Sequence, residues 1–109
     1  MGHKGLSKEA VVKAAVKIIE ENGYGNFSMR ALADLLGIKT ASLYNHVSGM
    51  AELYTEIGLY ALRLQKQTQL DAIEGKEMDE AVYALADAYR CFAREHRELY
   101  KIIMGMPKV

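Results

Sequence analysis

Apolar residues return every three or four positions along most of the 109-residue chain, which is the spacing of one face of a helix. The alternation of apolar and polar residues that marks a half-buried strand is absent from the sequence. We therefore predict an all-α fold. The predicted helices cover about residues 8–22, 29–36, 39–47, 50–73, 79–94 and 99–104.

The ends of the first two helices carry residues that favour helix boundaries. Ser7 and Ser28 precede these helices, where a hydroxyl oxygen can accept a hydrogen bond from a free backbone N–H group. Gly23 and Gly37 follow them, and glycine adopts the left-handed conformation that ends many helices at little cost. Further along, we predict a linker at residues 74–77 and a kink or short turn at 95–97.

The second and third helices are predicted to form a pair joined by a tight turn. Leu43 and Val47 share one face of the third helix, whereas the opposite face is small and polar. Small side chains let a helix backbone approach a surface closely, and Thr, Ser and Asn can bond base edges or phosphates. This layout is typical of a helix-turn-helix that reads the major groove of DNA. An ordinary αα-corner packing a core fits the same pattern, and the pattern alone favours neither.

The distribution of charge along the chain adds little to the choice between these two interpretations. The net formal charge is zero, but residues 1–50 hold six basic and four acidic residues, whereas residues 51–109 hold eight basic and ten acidic ones. The mild positive excess therefore coincides with the predicted helix-turn-helix. Lys4 and Lys8 are either part of a disordered tail or an arm that reaches the minor groove.

Composition limits the classes of function. No apolar run approaches the roughly 20 residues that span a membrane, and no signal-peptide core follows Met1. The lone Cys91 cannot form an internal disulfide, so we expect a cytoplasmic protein. No acidic, His or Cys cluster has the spacing of metal ligands, and no nucleophile–base pair is visible. We therefore expect no cofactor, no metal and no enzymatic activity.

One combination of residues within the range 7–54 is specific: Gly37-Ile38, then Leu43-Tyr44-x-His46, then Glu52-Leu53. With this combination, residues 7–54 resemble the DNA-binding domain of the TetR family of bacterial transcriptional repressors. The family places a three-helix domain before a long connecting helix and an all-helical effector-binding and dimerisation domain. The resemblance thus implies a DNA-binding domain over 1–48 and a partial effector domain over 49–109, of which residues 89–100 resemble one subgroup.

The resemblance also implies a palindromic DNA operator, a homodimer and release by a small-molecule effector. The implied DNA-binding residues are Ser28, Arg30, Lys39, Thr40, Ala41, Ser42, Tyr44, Asn45 and His46. The residues that could line an effector pocket are Tyr60, Leu64, Tyr83, Tyr89, Phe92, Ile103 and Met104.

Several positions depart from the family pattern. Val47 stands where an aromatic residue is usual, Lys39 where Ser or Thr often caps the recognition helix, and Met50 where a Lys usually reaches the DNA backbone. The chain is also about half as long as family members, so it is either a fragment or unusually short. Met50, the zero net charge and the length leave an alternative open, a helical ligand-binding or interaction protein that has lost DNA binding.

The last three predicted helices offer more apolar surface than they can bury among themselves. We expect an exposed apolar surface there, and hence association with a second copy or with a further segment. The residues of the fifth helix that we expect to face inward are Val82, Leu85, Ala86, Tyr89, Phe92 and Ala93.

Overall fold

The computed structural model describes residues 6–105, and every long regular element in this range is an α-helix. The all-α prediction is therefore confirmed, and a short 3-10 turn at Tyr24–Asn26 is the main addition to it. The helices are α1 (Lys8–Asn22), α2 (Met29–Leu36), α3 (Thr40–Leu43), α4 (Met50–Ile73), α5 (Met78–Glu95) and α6 (Arg97–Gly105).

The predicted N-caps form as expected, whereas Gly23 ends α1 with φ 85° and ψ 151°, outside the left-handed helical region predicted for it. The Ser7 hydroxyl accepts a hydrogen bond from the Ala10 N–H group at 3.1 Å, and the Ser28 hydroxyl accepts one from the Ala31 N–H group at 3.0 Å. Gly37 ends α2 in the left-handed conformation, with φ 71° and ψ 30°. These local bonds fix where α1 and α2 begin and where α2 gives way to the turn.

The third helix is shorter than the sequence pattern predicts. Regular α-helix stops at Leu43, and residues 44–46 continue as a tighter turn whose N–H groups donate to carbonyls three residues earlier. Lys39 precedes the helix without a side-chain cap, so a helix of one turn has little local stabilisation. The prediction of a helix through Val47 is therefore wrong beyond Leu43, although Leu43 and Val47 both face the core as expected.

One apolar core is shared by α1, α2, α3, α6 and the first half of α4. Its fully buried members include Ile19, Leu32, Leu43, Leu53 and Leu99, one from each of these helices. The predicted domains on either side of the boundary between residues 48 and 49 thus share one continuous core. The division into 1–48 and 49–109 remains a prediction, but α1 packs against α2 as well as against α4 and α6, so it connects the helix-turn-helix with the later helices.

The fifth helix packs differently from its prediction. α5 lies mainly against α4 and α6, and it buries Ala88 and Phe92, with Ala93 half-buried. α4 and α6 cover only one edge of the wide apolar arc of α5, and the rest of the arc is exposed. The residues wrongly predicted to be buried are Val82, Leu85, Ala86 and Tyr89. With Met78, three of them form an exposed stripe that we call the α5 stripe: Met78, Val82, Leu85 and Tyr89.

The junction between α5 and α6 is fastened to the end of α1. His96 interrupts the helices as predicted, and its Nδ1 lies 2.6 Å from the Glu20 carboxylate. The Glu98 carboxylate accepts a hydrogen bond from the Tyr24 N–H group at 3.1 Å and lies 3.2 Å from the Lys101 ammonium. These contacts, the Tyr24 N–H bond first, lower the pKa of Glu98. The start of α6 is therefore bound to the turn that links α1 with α2.

The shared core can be tested with two leucines of α4. Leu53 is fully buried, whereas Leu62 is 38% exposed on the same helix. We expect Leu53→Ala to lower the free energy of unfolding by about 2–5 kcal/mol, because it leaves a cavity beneath the helix-turn-helix. The control, Leu62→Ala, should change it by only about 0.5 kcal/mol. Urea unfolding of both variants measures the difference, and equal losses would contradict the packing described above.

Candidate nucleic-acid interface

The turn between α2 and α3 sets the angle at which α3 leaves the core. Gly37 turns the chain in the left-handed region, and the Ile38 N–H group donates back to the Ala33 carbonyl at 3.0 Å. Ile38 is half-buried against the core and anchors the turn. Because the turn is bonded to α2 on one side and buried on the other, α3 begins in a defined direction.

The segment Thr40–His46, which we call the recognition segment, has one buried and one exposed side. Leu43 is fully buried, whereas Ala41, Asn45 and Tyr44 are exposed, the last by 50%. Thr40, Ser42 and His46 are partly exposed. The outer side therefore offers hydroxyl, amide and imidazole groups on a narrow backbone, which suits contact with base edges and phosphates.

Two exposed cations precede the recognition segment in the chain, one in α2 and one immediately before α3. Arg30 lies exposed in the first turn of α2, and Lys39 lies exposed immediately before α3. Ser28 also stands near this surface, but its hydroxyl already caps α2 through the Ala31 N–H group. Its main role in the structure is thus the cap, and a contact from Ser28 to DNA stays a prediction.

The residues that follow the recognition segment are held by a contact of Glu52 that the sequence pattern did not predict. The Glu52 carboxylate accepts a hydrogen bond from the Ser48 N–H group with one oxygen, and its other oxygen lies 2.8 Å from the Lys8 ammonium. These two bonds, the Lys8 bond first, lower the pKa of Glu52 to about 2. The same carboxylate raises the pKa of Lys8.

The four-residue spacing of Ser48 and Glu52 at a helix start could have suggested the hydrogen bond between these two residues. Lys8 is 44 residues away from Glu52 in sequence, so the other half needs the fold. Lys8 is the first residue of α1 and pairs with Glu52, and therefore it is neither a tail nor an arm. Lys4, for which the same two roles were predicted, lies outside the described residues.

The predicted effector residues are dispersed. Tyr60, Leu64 and Ile103 pack at the edge of the core, Phe92 is buried with its ring 4.9 Å from that of His96, and Tyr83 and Met104 are exposed. The Tyr89 hydroxyl lies 2.8 Å from that of Tyr100.

The structure has cavities elsewhere. One of about 480 Å³ lies beside Tyr54 between the start of α4 and the end of α6, and one of about 370 Å³ lies between the end of α4 and the start of α5. Both are lined by residues other than the seven predicted ones, so the effector pocket stays a prediction. Between residues 6 and 105 no group of His, Cys, Asp and Glu has the arrangement of a metal site. None of the helices in this range has the length and apolar character needed to cross a membrane.

Comparison with known proteins agrees with this geometry. The sequence model for bacterial regulatory proteins of the TetR family matches residues 11–57, from α1 into the first part of α4. The chain is 33% identical over 103 residues to the uncharacterized HTH-type transcriptional regulator Rv0681 of Mycobacterium tuberculosis, covering 94% of this chain and 47% of that protein. It is also 33% identical over 103 residues to the HTH-type transcriptional repressor DrrR1 of Streptomyces coeruleorubidus, covering 94% of this chain and 37% of that protein.

A solved structure shows the same arrangement of helices. The TetR family transcriptional regulator PfmR from Thermus thermophilus superimposes with a TM-score of 0.64 at 26% identity, covering 90% of this chain and 53% of that one. The chain therefore spans about half the length, or less, of these relatives. The helix-turn-helix, the long α4 that follows it and the matched sequence agree, and residues 11–57 form the N-terminal domain of the TetR family of bacterial regulatory proteins.

Proposed function

We propose that this chain is a DNA-binding transcriptional regulator, which acts as a repressor at a palindromic operator and is released by a small molecule. The observation that carries the proposal is the recognition segment, whose outer side is polar and exposed while Leu43 beneath it is fully buried. DrrR1, a similar protein, is itself named as a transcriptional repressor. A regulator of this kind works in the cytoplasm, where bacterial DNA lies.

The side chains of the proposed DNA surface fall into two groups, those that contact base edges and those that contact phosphates. Thr40, Ala41 and Ser42 begin the recognition segment, and the first residues of a recognition helix usually contact base edges. The groups that contact phosphates or the edge of the groove are Arg30, Lys39, Tyr44, Asn45 and His46, with Ser28 at the start of α2. Met50 is 37% exposed at the start of α4 and adds no charge, so binding depends on few cations.

Release by an effector requires a link between two sites. In a dimer, two recognition segments must lie about 34 Å apart to enter successive major grooves. α4 joins the recognition segment to α5 and α6, so an effector among residues such as Tyr60, Leu64 and Phe92 could change this spacing by moving α4. The effector acts only through different affinities for the two arrangements.

Two substitutions separate phosphate contacts from base contacts. Tyr44→Phe removes a hydroxyl that bonds a phosphate, so it should weaken binding to all operators by about 1 kcal/mol. Thr40→Ala should instead change which operator is preferred, by about 1–3 kcal/mol for a lost base contact. Operators selected from a random DNA pool, followed by titrations with single-base variants, provide the measurement.

The reverse result, a changed preference for Tyr44→Phe and none for Thr40→Ala, would overturn the assignment of these residues. A mobility-shift series over several salt concentrations tests the proposal as a whole. A chain that retards no duplex even at low salt would instead be the alternative, a helical ligand-binding or interaction protein.

The α5 stripe predicts association. Met78, Val82 and Leu85 are exposed by 80%, 61% and 40%, and such apolar surface usually marks an interface. We expect the 109-residue chain to sediment as a dimer or larger species at micromolar concentration. Val82→Glu should shift it toward monomer, whereas the control Arg63→Glu, on the exposed side of α4, should not. A monomeric wild-type chain that binds no apolar dye would contradict this prediction.

A further inference from the structure

Glu52 joins two parts of the chain that are distant in sequence, the start of α1 and the segment between α3 and α4. It belongs to the first turn of α4, its carboxylate bonds the Ser48 N–H group two residues after the recognition segment, and it pairs with Lys8 at the start of α1. Within residues 6–105, Glu52 is the acidic side chain that bonds both the start of α1 and the segment preceding α4. Glu52 therefore links these two chain segments beside the candidate DNA surface.

The pair of Lys8 and Glu52 is accessible to solvent. Their side chains are 46% and 31% exposed, and their charged atoms are 2.8 Å apart. The Lys8 ammonium thus lies close to the chain segment that follows His46, on a flexible four-carbon stem. A phosphate of DNA bound at the recognition segment and the Glu52 carboxylate would compete for this one ammonium group.

We propose that Glu52 is a positioning residue of the DNA interface, which holds Lys8 away from DNA phosphates while it anchors the end of the recognition segment. The inference rests on the proposed DNA binding. It assigns to Glu52 the role of limiting binding to DNA of unrelated sequence, because such binding depends almost wholly on cations that meet phosphates.

Counterion release gives this role a measurable signature. Each cation that neutralises a phosphate of duplex DNA steepens the plot of log binding constant against log salt concentration by about 0.9. In Glu52→Gln the amide oxygen still accepts the Ser48 N–H bond, so the anchor is kept. The charge that holds Lys8 is lost, and Lys8 becomes free to meet a phosphate.

The test measures binding of a labelled duplex of random sequence by fluorescence anisotropy over a series of salt concentrations. Glu52→Gln should bind more tightly at low salt, with a slope steeper than wild type by about 0.9. Lys8→Gln alone should leave the slope unchanged, and the double variant should return to the wild-type slope. Glu9→Gln is the control, because it removes one negative charge from α1 at the Lys13 pair instead.

An unchanged slope in Glu52→Gln would overturn the proposal. A slope reduced by about 0.9 in Lys8→Gln would also overturn it, because Lys8 would then already meet a phosphate in the wild-type complex. An equal steepening in Glu9→Gln would also overturn it, since the effect would then be one of net charge. Thermal unfolding of each variant confirms that the chains compared are folded. Wild-type protein that binds no duplex at low salt would overturn both this inference and the proposed function, whereas normal wild-type binding with an unchanged variant slope overturns the inference alone.

Discussion

Burial of Leu43 and Val47 holds the recognition segment in place, because α3 has only the four helical residues Thr40–Leu43. A helix of one turn is not stable by itself in water. Its direction depends instead on what lies beneath it, which is the core formed with α1, α2, the first half of α4 and α6. The polar groups on the outer side are therefore positioned by apolar contacts on the inner side. α1 connects them with α4 and α6, because it packs against α2 as well as against both of these helices.

Local signals were sufficient for most of the fold. The hydroxyls of Ser7 and Ser28 and the conformation of Gly37 act within a few residues, so the sequence shows where α1 and α2 start and where α2 ends. The predictions failed where packing against a neighbouring helix decides which residues are buried. The periodicity of α5 predicted Val82 and Leu85 inside, but α4 and α6 pack against another edge of that helix.

One part of the candidate site could likewise be predicted from local signals, and another part could not. The exposed side of the recognition segment follows from helical spacing alone, because Leu43 fixes the inward direction. The pairing of Lys8 with Glu52 could not be predicted, since it joins α1 to α4 only after the core has formed. With Lys8 paired, the exposed cations within residues 6–105 that lie nearest to the recognition segment in sequence are Arg30 and Lys39.

We propose that DNA binds on the recognition segment and that the α5 stripe takes no part in this contact. A chain of 12.2 kDa, even as a dimer, suits amide chemical-shift mapping during titration with a DNA duplex. We predict that the largest shifts fall on the N–H groups of residues 40–46 and of the start of α2, while those of the α5 stripe stay unchanged. Shifts confined to the α5 stripe, or none at residues 40–46 despite binding, would contradict the account.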